Sequence, residues 1–398
     1  MKILFNLGLV LLLAYLIANA ALSSDEGERP VVQLIAGLGI LSMLAYCAIY
    51  GLKEFRITRL WPFAAAWVAF SVTLSVYFLL ALADAPSDLA IKNPRYLFVC
   101  IYIVLTTFFV YYGVINRHIT EAKLLVIVGL LLISGLLDVY EAVANPRNKL
   151  GVDVINTSSG YVFVMLLPLL MYKYRDQGVW VFLLTLVLTA ITGKRGALVI
   201  YAVLMIYSLI NFRAMGRHQR VNYKTLIALG LASLSFLYFF EVAYESLQYR
   251  IDNFVDSKRG TVGSGRDILW LAFYDHWSES DLVNTVFGSG YFSTLSINGF
   301  VAHNDFIQYL VDYGLFGLLL YLVFLYLLFS NIRRIRRIDT HLYLLLMSCF
   351  IIFVGRGLFA GTIRTDQIYW SISFGYLLGM ATIKFTRHRE TARDIDEG

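Results

Sequence analysis

Charge is what this chain has least of. Only 15% of its 398 residues are Asp, Glu, Lys or Arg, against about 25% in a soluble domain. Apolar residues make up 59% and the mean hydropathy is +0.68, a balance that excludes an ordinary globular enzyme, a disordered chain and a fibrous one. Cysteine is also scarce: Cys47, Cys100 and Cys349 all lie inside apolar runs, which speaks against a disulfide framework, a zinc site or a redox motif. The six histidines are scattered and form no HExxH, so no metal site is expected. There is no Walker loop, no GxGxxG after a strand and no serine elbow, and no cofactor is expected. Asp84 and Asp88 flank Pro86 and read as a turn, not a ligand pair.

What remains is a succession of apolar runs. Read in windows of about 20 residues, they fall near 3 to 22, 31 to 52, 61 to 83, 96 to 115, 123 to 140, 155 to 172, 179 to 193, 195 to 212, 224 to 242, 304 to 330, 341 to 358 and 367 to 385. The pattern predicts an all-α, polytopic transmembrane bundle of twelve spans, one integral domain over residues 1–398. With the N-terminus inside, 20 of the 33 Lys and Arg fall in inward segments, so both termini are expected in the cytoplasm. The same asymmetry explains the net charge of +6 without invoking nucleic acid. Met1-Lys2 and the stretch ending Ala18-Asn19-Ala20 have the look of a signal peptide. The length of that run and the eleven spans behind it favour an uncleaved first span.

One large outward loop, 243–303, holds most of the remaining mass. Four cations, Arg250, Lys258, Arg259 and Arg266, against seven acids leave it a formal −3; an anion bound there must be gripped by particular cations, not by a general field. Gly263-Ser264-Gly265 leads into Arg266 and a short amphipathic helix on which Trp270, Tyr274 and Trp277 recur at i, i+4 and i+7. That aromatic face suits either the headgroup level or a seal against the bundle. Further on, Gly288-Ser289-Gly290-Tyr291 precedes Ala302-His303-Asn304-Asp305. If a helix starts at His303, residues 307, 310, 314 and 317 fall within about 40° of it. Gly314 and Gly317 then allow a close helix approach beneath the imidazole.

Three more cations sit near outward ends of spans: Arg195 in Gly193-Lys194-Arg195-Gly196, Arg356 in Gly355-Arg356-Gly357, and Arg364. An arginine at membrane depth costs about 2.5–3.5 kcal/mol, so each is expected to face a cavity, snorkel or meet an acid. Asp138 and Asp312 are candidate partners, and helix-end hydrogen bonding explains them equally well.

His303-Asn304, nine residues, Gly314, two residues and Gly317 complete a signature that resembles the O-antigen ligase and polymerase family of bacterial envelope glycan enzymes. Ser264-Gly265-Arg266 with Trp270 looks like its second element, and Lys194-Arg195-Gly196 like its third. The resemblance implies a metal-independent, inverting glycosyltransferase of the bacterial inner membrane, working at the periplasmic face on an undecaprenyl-diphosphate-linked oligosaccharide. It implies His303 as base, with Arg195 and Arg266 on the diphosphate. Substrate contacts are expected from Arg356, Arg364, Asn304, Lys194 and Trp270, and the partners are an acceptor glycan or lipid A-core and membrane lipid. Polymerisation of O-antigen or exopolysaccharide repeat units is the first expectation, and ligation to lipid A-core the alternative. A transporter or flippase of the carrier-linked glycan is a lesser alternative, disfavoured because no internal repeat is visible.

Overall fold

Uncharged stretches rich in Leu, Val, Ile and Phe can satisfy their backbone groups in hydrocarbon only within a helix, and eleven of the twelve runs fold that way. The structure is a computed structural model that describes residues 1–21, 29–53, 61–84, 95–144, 147–149, 152–154, 159–192, 194–211, 266–361 and 367–396. In chain order come α1 (Lys2–Ala21), α2 (Arg29–Lys53), α3 (Pro62–Asp84), α4 (Arg95–Ile115) and α5 (Glu121–Ala144). A short antiparallel hairpin pairs β1 (Arg147–Lys149) with β2 (Val152–Val154). There follow α6 (Ser159–Lys173), α7 (Gly178–Ile191), α8 (Arg195–Ile210) and three short helices, α9 (Arg266–Ser278), α10 (Leu282–Phe287) and α11 (Ser293–Asn298). The chain closes with α12 (Asp305–Ile335), α13 (Thr340–Phe359) and α14 (Gln367–Asp396). The run expected near 224 to 242, the first part of the large loop and Arg364 lie outside the described residues.

Among the described residues six helices are long and apolar enough to cross a membrane. Helices α6, α7 and α8, of 15, 14 and 16 residues, fall short of the roughly 20 needed for a hydrocarbon core of about 30 Å. The faces turned outward are themselves apolar: Leu34, Leu38 and Leu41 on α2, Val68, Val72 and Val76 on α3, Val199, Val203 and Ile206 on α8, and Leu315, Leu319 and Leu322 on α12. Spaced three or four apart, they form stripes that water would not tolerate and lipid would. The chain is a multi-pass, all-α membrane protein. Inside, Ser159 to Leu170 of α6 are buried on every side, and Trp370 stacks on Phe374 at 4.7 Å and meets Phe353 at 4.7 Å.

Helix ends sort into two groups in space. At one end Lys173 pairs with Glu121 at 3.2 Å, Lys384 pairs with Asp339, and the Trp61 indole donates to Thr382 at 2.9 Å. There too Lys123 donates to Asn6 Oδ1 at 2.7 Å, and Asp339 caps α13 by accepting from the Leu342 amide. At the other end α6, α8, α9 and α12 begin and α13 finishes.

Candidate active site

The C-terminus of α13 is the hub of that second end. A helix end leaves carbonyls without intrahelical partners and carries partial negative charge. Two of the predicted residues meet that need. Arg266, the first residue of α9, donates from Nη1 to the Phe359 carbonyl at 2.8 Å, and Asn304 Nδ2 approaches the Leu358 carbonyl at 3.4 Å. The Arg356 carbonyl accepts from the amides of Ala360 and Gly361, and Gly361, at φ +80°, turns the chain out of the helix. Among the described residues Arg266 makes no second side-chain hydrogen bond, so most of its five N–H donors are uncommitted.

Arg195 is tied to the same place through Gly196. A Cβ at Gly196 would lie 2.9 Å from Phe359 Cβ and 2.2 Å from Tyr161 Oη, so only glycine lets α8 start against α13 and α6. The Lys194-Arg195 pair is thus fixed on a turn whose backbone is wedged between two helices. Arg195 itself is exposed and Lys194 half-buried. Arg356 differs: it is 1% exposed, with its guanidinium carbon 3.8 Å from the centroid of the Tyr161 ring, a cation–π contact in a dry setting. Arg356 is therefore buried inside the bundle and does not snorkel, and the Tyr161 ring against it was not among the partners expected from spacing.

His303 does not head a helical stripe. The helix starts at Asp305, Asn304 is its N-cap, accepting from the amides of Phe306 at 3.0 Å and Ile307 at 3.3 Å, and His303 precedes it at φ +52°. Few non-glycine residues adopt that left-handed conformation, and here it is imposed from both sides. The Trp270 indole donates to the carbonyl of Ala302 at 2.7 Å, and Asn304 is committed to the cap. His303 is half-buried just outside the helix start, with Ala302 before it tied to α9 and Asn304 after it tied to α13.

The first glycine of the motif also acts otherwise than as part of a helix-packing groove. Gly314 breaks α12 at φ +63°, ψ −164°, and a Cβ there would lie 2.4 Å from the Val286 backbone. The break frees the carbonyls of Val311 and Asp312, which accept instead from the amides of Ser289 at 2.9 Å and Gly290 at 3.0 Å. Asp312 is fully buried and its carboxylate accepts from Ser293 Oγ, the Thr294 amide and Gln308 Nε2, fixing the start of α11. Helix-end hydrogen bonding, not an arginine, accounts for it. Asp138 accepts from Ser159. The aromatic face of α9 seals more than it exposes: Trp270 and Trp277 donate to the carbonyls of Ala302 and Thr285, while Tyr274 stands exposed beside Ile268 and Leu271.

Sequence reasoning gave no role to Asp305. It is 2% exposed, accepts from Tyr321 Oη at 3.3 Å, and lies where a Cβ on Gly357 would come within 2.8 Å of its Oδ2. An Asn-Asp pair at the head of a long apolar run was the available signal. The structure therefore gathers Arg195, Arg266, His303, Asn304 and Arg356 around one helix end.

Residues 180–322 match the family model described as O-Antigen ligase. The matched stretch is just over a third of the chain; it includes Lys194, Arg195, Arg266, Trp270, His303 and Asn304 and stops before Arg356. No curated protein matches the chain significantly. The family match bears out the resemblance read from the motifs.

Proposed function

We propose that the chain transfers a glycan from an undecaprenyl-diphosphate carrier to an acceptor sugar hydroxyl, with the chemistry at the end of the bundle where α13 finishes. The observation that carries the reading is the meeting of Arg266, the Arg195 turn and His303 at that end. The acceptor oxygen attacks the anomeric carbon as the bond from that carbon to the diphosphate oxygen breaks. The hydroxyl proton passes to His303, whose ordinary pKa near 6.5 suits a base at neutral pH. The diphosphate leaves with the bonding electrons, and its growing charge is taken by the planar forks of Arg266 and Arg195. Attack opposite the leaving group inverts the anomeric centre. The arginines supply the charge stabilisation, and the reading needs no metal.

The basic loops support a cytoplasmic position for the other end, and on this reading the site works at the periplasmic face of the inner membrane, with residues 243–303 as the large outward loop of a twelve-span chain. Repeat-unit polymerisation is the primary reading, from the His303-Asn304-Asp305 form of the motif. Ligation to lipid A-core is the second reading, favoured by the description of the matched family.

Surface lipopolysaccharide from cells lacking the protein separates them. Core carrying a single repeat means a polymerase; bare core with long glycan left on the carrier means a ligase; an unchanged ladder removes both. With purified protein and carrier-linked donor, Arg266→Gln is expected to lower kcat by about 10²–10³, the loss seen when one preorganised donor to a developing anion is removed. Undiminished transfer by that variant overturns the role of Arg266.

A further inference from the structure

The opposite end of the bundle carries a cavity of about 540 Å³ that the transfer reaction does not use. Four cations line it, Arg117, Lys173, Arg175 and Lys384, against one acid, Glu121. Two of these are already neutralised: Lys173 by Glu121 at 3.2 Å and Lys384 by Asp339. Arg117 and Arg175 are exposed and carry no ion pair among the described residues. Arg117 is also held at φ +55°, in a turn closed by its own amide on the Val114 carbonyl and by the His118 and Ile119 amides on the Gly113 carbonyl. Glycine or asparagine would adopt that backbone at less cost, so the turn keeps an arginine where local conformation disfavours it.

The cavity is not merely basic. Leu124, Tyr172, Tyr376 and Met380 form an apolar wall, and they belong to α5, α6 and α14, whose ends frame the opening. A cationic rim over an apolar wall, at the ends of membrane helices, fits a molecule with a phosphate at one end and hydrocarbon at the other. We infer that this cavity binds the phosphate headgroup of an anionic phospholipid, with Arg117 and Arg175 on the phosphate and the first carbons of an acyl chain along Leu124 and Met380. A free phosphate shares the first contact but has no use for the wall.

The test uses the purified full chain in a neutral detergent. Binding of phosphatidylglycerol is followed by native mass spectrometry, with phosphatidylcholine and inorganic phosphate as the other probes. Arg117→Gln with Arg175→Gln is expected to weaken phosphatidylglycerol binding about 30-fold, the loss of two surface cations facing an anionic lipid. Arg117→Lys with Arg175→Lys keeps the charge and is expected to retain binding within about 5-fold, which separates charge from any failure of the Gln pair to fold. Arg334→Gln with Arg337→Gln, at the same end but outside the cavity, is expected to change little. Three outcomes overturn the inference: unchanged phosphatidylglycerol affinity in the Gln pair, an equal loss in the Arg334 and Arg337 pair, or displacement of the lipid by equimolar inorganic phosphate, which would make the site one for a free anion. The measurement contains no transfer assay, so its failure leaves the proposed reaction untouched.

Discussion

A histidine in the left-handed region stores strain that its neighbours must hold. At His303 the neighbours do so through the Trp270 indole on Ala302 and the Asn304 cap, an arrangement common where a side chain is presented for chemistry. Asparagine tolerates the same backbone but is no base. His303→Asn is therefore expected to leave the thermal midpoint in detergent within a few degrees of wild type, with unfolding free energy changed by less than about 1 kcal/mol. Transfer activity is expected to fall by at least about 10², and a variant retaining most of its activity would remove His303 as the base. At the other end, His118 lies 2.8 Å from Tyr46 Oη by Nδ1. Burial, then the Lys123 ammonium and the amino-terminal charge, hold its pKa below the ordinary value. The unfolded chain then takes up its proton first as pH drops, so this contribution to stability is whole above about pH 6.5 and is lost as pH falls through the lower folded-state value. A thermal midpoint that declines from pH 7 to pH 5 in wild type, and less steeply in His118→Gln, is the expected result. The residue types at the site were legible as a motif; the backbone state of His303 was not, because φ leaves no mark on side-chain spacing.

At the scale of elements, the short helices α9 to α11 are fastened to α12 by backbone. Gly288, at φ +83°, comes so close to α12 that a Cβ would lie 2.3 Å from the Asp312 carbonyl oxygen, and Gly314 makes the reciprocal approach from the other side. Two glycines in sequence looked like a groove for a neighbouring helix; Gly314 is instead a break in the helix and a docking point for a loop, and Gly317 lies where a Cβ would come 2.2 Å from Tyr313 Cβ of its own helix. Periodicity reports which residues share a face only while the helix continues. Gly288→Ala combines a left-handed backbone with a backbone clash, and is expected to cost about 2–4 kcal/mol. Gly299→Ala has open space around its Cβ and, at φ +70° and ψ 6°, an ordinary left-handed backbone, unlike Gly288 at ψ 172°, so it is expected to cost only about 1 kcal/mol. Thermal midpoints of the two variants in one detergent check the difference; equal losses would mean that neither the ψ of Gly288 nor its α12 contact adds to the cost of a positive φ. The caps went unread as the break did: the stripe was counted from His303, whereas Asn304 and Asp339 serve as the N-caps, as short polar side chains do.

Across the whole molecule, the apolar runs carried the helical character of the fold, because hydrocarbon permits one answer for each long uncharged stretch, while the Lys and Arg asymmetry speaks only to orientation. The same two signals are silent on which run lies innermost in the bundle, and α6 is buried on every side over Ser159 to Leu170. They are also silent on contacts made by loops. What they do predict is a sidedness, and Asn6 with Lys123, Glu121 with Lys173, and Asp339 with Lys384, drawn from segments expected on one face, are in contact. The site lies at the far ends of the same helices. If the basic face is cytoplasmic, a thiol near the site is open to the periplasm and one on the basic loops is not. With Cys47, Cys100 and Cys349 replaced by serine, Ser278→Cys is expected to react with a membrane-impermeant maleimide on intact spheroplasts, while Arg334→Cys reacts only after permeabilisation. Both positions are exposed, so burial cannot produce the difference. The reverse labelling would place His303 and Arg266 in the cytoplasm, out of reach of a carrier-linked glycan displayed outside, and the proposed transfer would have to be abandoned along with the orientation.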